Sequence, residues 1–316
     1  MNSTSKNNFN AKILLFGEYS LLCGSMALSI PFSRYRGRFE WANNASSKKE
    51  SKISNDRIRR FFKYIVNIES SKILSFSLNI DQLEKDIDAG LYFKSNIPNG
   101  YGLGSSGALV AAMFDRYVIQ TKLPDVSTPD GLLKLKKYFA LLESYFHGQS
   151  SGLDPLISYL NKPLLVSGAQ EIDTITLKWK PYKGPGAVFL IDSGALGETQ
   201  PLVNQFAEKY NEHSYRNMIN HTFIPIVNNA IQSYVDTDNE KLIYYSRQIS
   251  NYQASYFEGM IPDSINKVWQ IGLDTNAYSL KLCGSGGGGM MLGFTHDMKA
   301  AEKHLLGFAP IIIHHI

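Results

Sequence analysis

Three features of the sequence predict an α+β fold in two domains. Apolar runs of strand length stand beside longer segments with helical spacing. The two kinds do not alternate strictly, which argues against a doubly wound parallel sheet. Gly184-Pro185-Gly186 punctuates the middle of the chain and places a boundary between residues 1–186 and 187–316. A chain of 316 residues has room for one large domain or two ordinary ones.

The elements follow in order. Residues 12–16 form a short apolar run ending at Gly17, as suits a buried strand. Residues 43–56 are polar and charged and read as a surface loop. Residues 91–97 read as another strand, leading into the loop Pro98-Asn99-Gly100-Tyr101-Gly102. After Gly107, residues 108–114 are apolar without interruption and read as a buried helix. Residues 132–146 carry apolar side chains at helical spacing and stop near Gly148, a natural terminator. Residues 187–191 read as a strand, and helical patterns dominate residues 199–271.

Composition narrows the function. Hydrophobic residues make up 44% and charged residues 19%, an ordinary globular balance. The formal charge of +4 is mildly basic. The runs Lys48-Lys49-Lys52 and Arg57-Arg59-Arg60 read as solvated faces. No basic stripe is interleaved with aromatic residues, so nucleic acid is not the expected partner. A weak positive field can still draw in anionic small molecules. Cys23 and Cys283 have neither metal-binding spacing nor a disulfide framework around them, which fits a reduced, cytoplasmic setting. The first ten residues lack the apolar centre of a signal peptide, and no apolar run reaches membrane-span length.

Three segments carry chemistry. In the first, Gly100, Gly102 and Gly104 alternate with Tyr101 and Leu103, and Ser105 and Ser106 follow before an apolar helix. Glycines let the backbone approach a ligand closely and turn successive N–H groups into one concavity, with the positive end of the helix behind them. A polyphosphate suits that environment, and a serine hydroxyl at the helix start can ligate Mg²⁺. A flexible turn with a serine cap fits the same residues. No Gly-Lys-Ser/Thr follows, so this is not the Walker pattern, and no ribose-binding acid stands where a dinucleotide fold needs one.

The second segment runs from Glu143 through His147-Gly148 to Asp154-Pro155. Read alone, Glu143 is an exposed helix charge and Asp154 a helix N-cap. A phosphoryl-transfer site changes that reading. It needs one group on Mg²⁺, one carboxylate to orient or deprotonate the acceptor hydroxyl, and a cation against the phosphates. Lys12, on the first strand, can supply the cation. The third segment is Lys281-Leu282-Cys283-Gly284-Ser285-Gly286-Gly287-Gly288-Gly289, with apolar Met290-Met291-Leu292 after it. Apolar residues on both sides make it a tight loop between buried elements rather than a linker.

Together these segments resemble the superfamily of galactokinase, homoserine kinase, mevalonate kinase and phosphomevalonate kinase (GHMP kinases). Its three motifs occur in order, the first as residues 12–24 beginning Lys12 and including Gly17-Glu18-Tyr19, the second as residues 100–107, the third as residues 284–289. Within it the mevalonate kinases look most similar, through Glu143, His147-Gly148, Ser151-Gly152-Leu153-Asp154, the Lys281 run, and a partial match at Asp192-Ser193 and Thr199 to Val203.

The resemblance implies a phosphotransferase using ATP and Mg²⁺ on the primary hydroxyl of mevalonate. It also implies an N-terminal domain like the second domain of ribosomal protein S-five and a ferredoxin-like C-terminal domain, with the site between them. It makes Asp154 the base and Lys12 the stabilising cation, and gives Mg²⁺ to Ser106 and Glu143. The residues Gly100, Tyr101, Gly102, Leu103, Gly104, Ser105 and Ser106 would cradle the phosphates, with Ser95 near the nucleoside. Glu18, Tyr19, Thr199 and Gly286 would lie on the acceptor side. A homodimer is compatible with it.

Three positions depart from the pattern: Tyr19 where histidine is usual, Gly197 where a basic residue is expected, and Gly107 where alanine is usual. The alternatives are a phosphomevalonate or sugar kinase on the same fold, and a non-catalytic ligand sensor, which would be expected to have lost Lys12, Glu143 or Asp154.

Overall fold

The computed structural model describes residues 8–44, 48–70, 76–119, 123–168, 171–178, 184–197, 199–257, 259–305 and 307–316. The chain runs β1 (Phe9–Phe16), β2 (Ala27–Trp41), α1 (Lys48–Ser70), α2 (Ile80–Asp88), β3 (Leu91–Ser95), α3 (Ser105–Tyr117), α4 (Pro129–His147), α5 (Leu153–Leu160), β4 (Leu164–Gly168) and β5 (Glu171–Thr174). It continues through β6 (Ala187–Asp192), α6 (Thr199–Tyr210), α7 (His213–Met218), a π turn over Ile219–Phe223, α8 (Ile224–Asp236), α9 (Asn239–Tyr256) and α10 (Asp263–Thr275). The last elements are β7 (Ser279–Leu282), β8 (Met290–Thr295), α11 (Met298–Glu302) and β9 (Ile311–His315). This is the α+β mixture that the sequence predicts.

Two antiparallel sheets organise the molecule. In the first, β2 pairs with β1, β3 and β4, and β4 pairs with β5. Strand β2 is long enough to serve three partners because its two ends meet different neighbours: Leu28 lies opposite Phe16 and Leu165, and Phe39 opposite Phe93. The second sheet has the order β7-β8-β6-β9. One of its two interior strands, β6, is Ala-Val-Phe-Leu-Ile-Asp, buried at every residue except Asp192. Such an unbroken apolar run belongs to a strand covered on both faces. Helix α3 is buried from Gly107 to Phe114 because α4 and α5 pack against it and the sheet lies beneath.

Helix termini follow local chemistry. Thr128 caps α4 by accepting the Gly131 N–H, and Gly148, at φ +71°, ends it. Three expectations change. The loop expected over residues 43–56 gives way at Lys48 to α1, a polar helix whose buried stripe is Ser51, Ile58, Phe61 and Ile65. Charged residues dominate its other faces, and this hid the helical period. The strand expected to reach residue 97 stops at Ser95, where the Ser95 hydroxyl accepts the Ile97 N–H and turns the chain. Asp154 is not an N-cap: Gly152, at φ +74°, holds that place, and Asp154 sits in the first turn of α5. Among the described residues no helix is long and apolar enough to cross a membrane.

Candidate active site

Strand β1 delivers Lys12 to a cleft of about 380 Å³. The Lys12 N–H donates to Leu103 O at 3.0 Å, so the first strand holds the glycine loop directly. Gly100, Gly102 and Gly104 have φ of +77°, +71° and +75°. Only glycine takes this backbone readily, and the alternation turns the loop back on itself before α3 begins. Space demands glycine too. A Cβ on Gly104 would stand 2.9 Å from Lys12 Cγ, and one on Gly102 would stand 2.8 Å from Cys283 O.

Helices α3 and α5 both point their N-termini at this cleft, bringing Ser105, Ser106 and Asp154 with them. Two positive helix ends therefore face one space. They approach closely because residue 107 is glycine: a Cβ there would lie 2.7 Å from the Asp154 carbonyl carbon. The Gly107 departure from the family pattern thus has a local reason.

Lys12 Nζ lies 3.1 Å from Asp154 Oδ1. Burial would lower the lysine pKa, but the charge and hydrogen bond of Asp154 outweigh it and raise the value, so Lys12 stays an ammonium. Glu143 is set differently. Its side chain is nearly out of solvent, and its oxygens accept from Ser106 Oγ at 3.1 Å and Ser150 Oγ at 2.5 Å. Burial and then the charge of Asp154 push its pKa up to about 7. A buried carboxylate held by two hydroxyls and repelled by another carboxylate invites a cation. His147 Nε2 lies 2.9 Å from Ser106 Oγ. With the serine hydrogen given to Glu143, that contact requires a proton on Nε2.

The third glycine segment closes the cleft from the other half of the chain, where Cys283, Gly284, Ser285, Gly286 and Gly288 contribute to the wall. Gly286 has φ +77°, and a Cβ there would meet Met260 O at 2.4 Å. Gly197 N–H reaches Gly100 O at 3.4 Å, so the segment before α6 also leans on the glycine loop.

Lys12, residues 100–106, Glu143, Asp154 and Gly286 therefore line one cleft. Ser95 does not; it lines an adjoining cavity of about 230 Å³. Glu18 and Tyr19 lie behind the wall. Glu18 is buried in an ion pair with Lys281 at 2.5 Å. The Tyr19 hydroxyl donates to Ser285 O, and its ring packs on Phe206 and Phe257. Thr199 is the first residue of α6, and its side chain falls outside the described residues. Sequence reasoning missed three contributors. Ser150 and His147 were legible only as motif spacing. Arg57, read as part of a solvated basic run, is indeed exposed and in addition lines both cavities.

Known proteins resemble the chain in sequence and in fold. Residues 71–162 match the model of the GHMP kinases N terminal domain. A mevalonate kinase of Thermococcus sibiricus is 24% identical over 331 aligned positions, covering 96% of this chain and 93% of the relative. The structure of L. major mevalonate kinase in complex with R-mevalonate has a TM-score of 0.64 at 16% identity, covering 99% of this chain and 97% of that one. Streptococcus pneumoniae phosphomevalonate kinase, in complex with phosphomevalonate and AMPPNP, also gives 0.64, at 14% identity and coverage of 97% and 99%. The two scores are equal, so the fold by itself does not choose an acceptor. What the comparisons do fix is that residues 71–162 are similar to the GHMP kinases N terminal domain, and that the chain has the fold these solved kinases share.

Proposed function

We propose that this protein transfers the γ-phosphoryl group of ATP to the primary hydroxyl of mevalonate, giving 5-phosphomevalonate and ADP. The observation that carries the reading is the Lys12–Asp154 pair at 3.1 Å, set between two helix N-termini and beside a glycine loop with three positive φ angles. Phosphoryl transfer asks a protein mainly for positioning and for charge opposite the phosphates. In this reading the N–H groups of residues 100–106 cradle the phosphates. Asp154 orients the acceptor hydroxyl and takes its proton. Lys12 offsets the charge on the attacking and transferring oxygens.

The residues present fit Mg²⁺. Glu143 and Ser106 offer two oxygens at the α3 N-terminus, and Mg²⁺ commonly takes one or two protein oxygens, filling its shell with phosphate and water. When bound, the ion would neutralise phosphate charge. The same reading makes residues 1–186 and 187–316 the two domains, with β1–β5 in the first and β6–β9 in the second. The order β7-β8-β6-β9 is that of a ferredoxin-like sheet.

The whole-length similarity to a mevalonate kinase supports the acceptor. So does the charge in the cleft: its described wall carries two cations, Lys12 and Arg57, and Arg57 lies at the end shared with the Ser95 cavity. An acceptor that already carries phosphate would need further cations opposite that end.

The test is Mg²⁺-dependent ADP release with mevalonate, phosphomevalonate, galactose and homoserine offered separately. Turnover with mevalonate alone is expected. Turnover with another acceptor would keep the kinase and remove mevalonate. No turnover with any of them would favour the non-catalytic reading.

A further inference from the structure

We infer that Arg57, on α1, binds the phosphate that joins the nucleoside to the rest of the nucleotide. This makes it a nucleotide-binding cation that lies outside residues 12–24, 100–107 and 284–289. The inference rests on the kinase reading above and extends it to one residue.

Arg57 borders both cavities, with Asn99, Ser105, Ser106 and Phe146. These five residues form the seam between the cleft and the smaller chamber, and Arg57 is the one charged side chain among them. The smaller chamber has apolar walls from Ile53, Ile58, Phe93, Ile97 and Leu109, with Glu50, Ser54 and Ser95 as polar groups at its edge. It suits a flat heterocycle with a polar edge. The cleft carries the glycine loop, Lys12 and the carboxylates. A nucleotide whose base fills the chamber and whose terminal phosphate reaches Lys12 must pass its first phosphate across the seam.

The charge arrangement points the same way. Lys12 is committed to Asp154 at 3.1 Å. Among the described residues Arg57 makes no ion pair, although α1 and its neighbours offer several, such as Arg59 with Asp88 at 2.9 Å. Its guanidinium carbon lies 5.8 Å from the Phe146 ring centroid, and its charge is felt at His147, one residue on. This exposed guanidinium lies over the Phe146 face at cation–π distance, which places it beside the seam and favours that position over bulk solvent. Its five N–H donors match a phosphate better than a lysine ammonium would. A polyphosphate here lacks the P-loop lysine, and a second cation from α1 would supply the missing charge.

The experiment is calorimetric titration of the intact protein with ATP, ADP, AMP and adenosine at fixed Mg²⁺ and salt. It compares the wild type with Arg57→Met, which keeps a stem over Phe146, and with Arg57→Lys. The expected result is that Arg57→Met weakens ATP, ADP and AMP alike, by roughly tenfold or more, and leaves adenosine unchanged. Arg57→Lys should recover part of the loss, and KM for the acceptor should not move. Equal weakening of adenosine would make Arg57 a packing residue and overturn the inference. So would loss confined to ATP, which would put the guanidinium at the far end, or unchanged binding of all four. A wild-type protein that binds no adenine nucleotide would overturn the kinase reading as well, whereas a failure seen only in the variants leaves that reading standing.

Discussion

Asp154 and Glu143 are two carboxylates of one cleft in opposite settings. Asp154 faces the Lys12 ammonium, while Glu143 is buried against serine hydroxyls. If Asp154 takes the acceptor proton, Asp154→Asn should lower kcat by about 10²- to 10⁴-fold while ATP affinity measured by calorimetry stays near wild type. A variant that keeps its kcat would remove Asp154 from the chemistry. Glu143 makes a prediction about pH. Its folded pKa is about 7, raised by burial and Asp154 above the ordinary glutamate value. Between the ordinary value and about 7, the folded state therefore binds more protons than the unfolded state. Its contribution to stability is full below that window and is lost as pH rises through it. Glu143→Gln cannot titrate. In urea titrations without metal, the wild type should lose stability relative to Glu143→Gln across the window, and parallel pH curves would contradict the assignment.

At the scale of elements, the site depends on how closely α5 docks. Gly152 has φ +74°, and a Cβ there would lie 2.1 Å from Lys136 O and 2.7 Å from Ala140 N, both on α4. Gly152→Ala should cost about 2 kcal/mol or more through backbone strain and overpacking. It should also lower kcat, because the helix that carries Asp154 must move. Denaturant unfolding and steady-state kinetics on one preparation test both effects, and a variant as stable and active as wild type would show that the α4–α5 contact gives way. The helices themselves were largely legible in the sequence. Residues 108–114 and 132–146 show apolar spacing, and Gly148 marks an end. Helix α1 was not legible, because its charged faces conceal a narrow buried stripe.

At the scale of the molecule, the first and third motifs are fastened together. Glu18 and Lys281 form a buried pair at 2.5 Å, Tyr19 donates to Ser285 O, and Phe16 stacks on Phe294 at 5.6 Å. Lys281→Met would leave Glu18 buried without its cation and should cost about 3–5 kcal/mol. Adding Glu18→Gln should recover much of that loss in the urea midpoint. A double variant as unstable as the single one would mean that Lys281 acts through packing alone.

By itself, the sequence determined the α+β class, the glycine loops and the carboxylate spacing, because glycine punctuation and apolar period are local properties of the chain. Tertiary structure decided the rest. It moved Asp154 from a cap to the first turn of α5, made Glu143 a buried acid, hid Glu18 behind the cleft wall, and carried Arg57 from a basic run to the seam of two cavities. Each of these depends on what packs against the residue from far along the chain, and local spacing does not encode that partner.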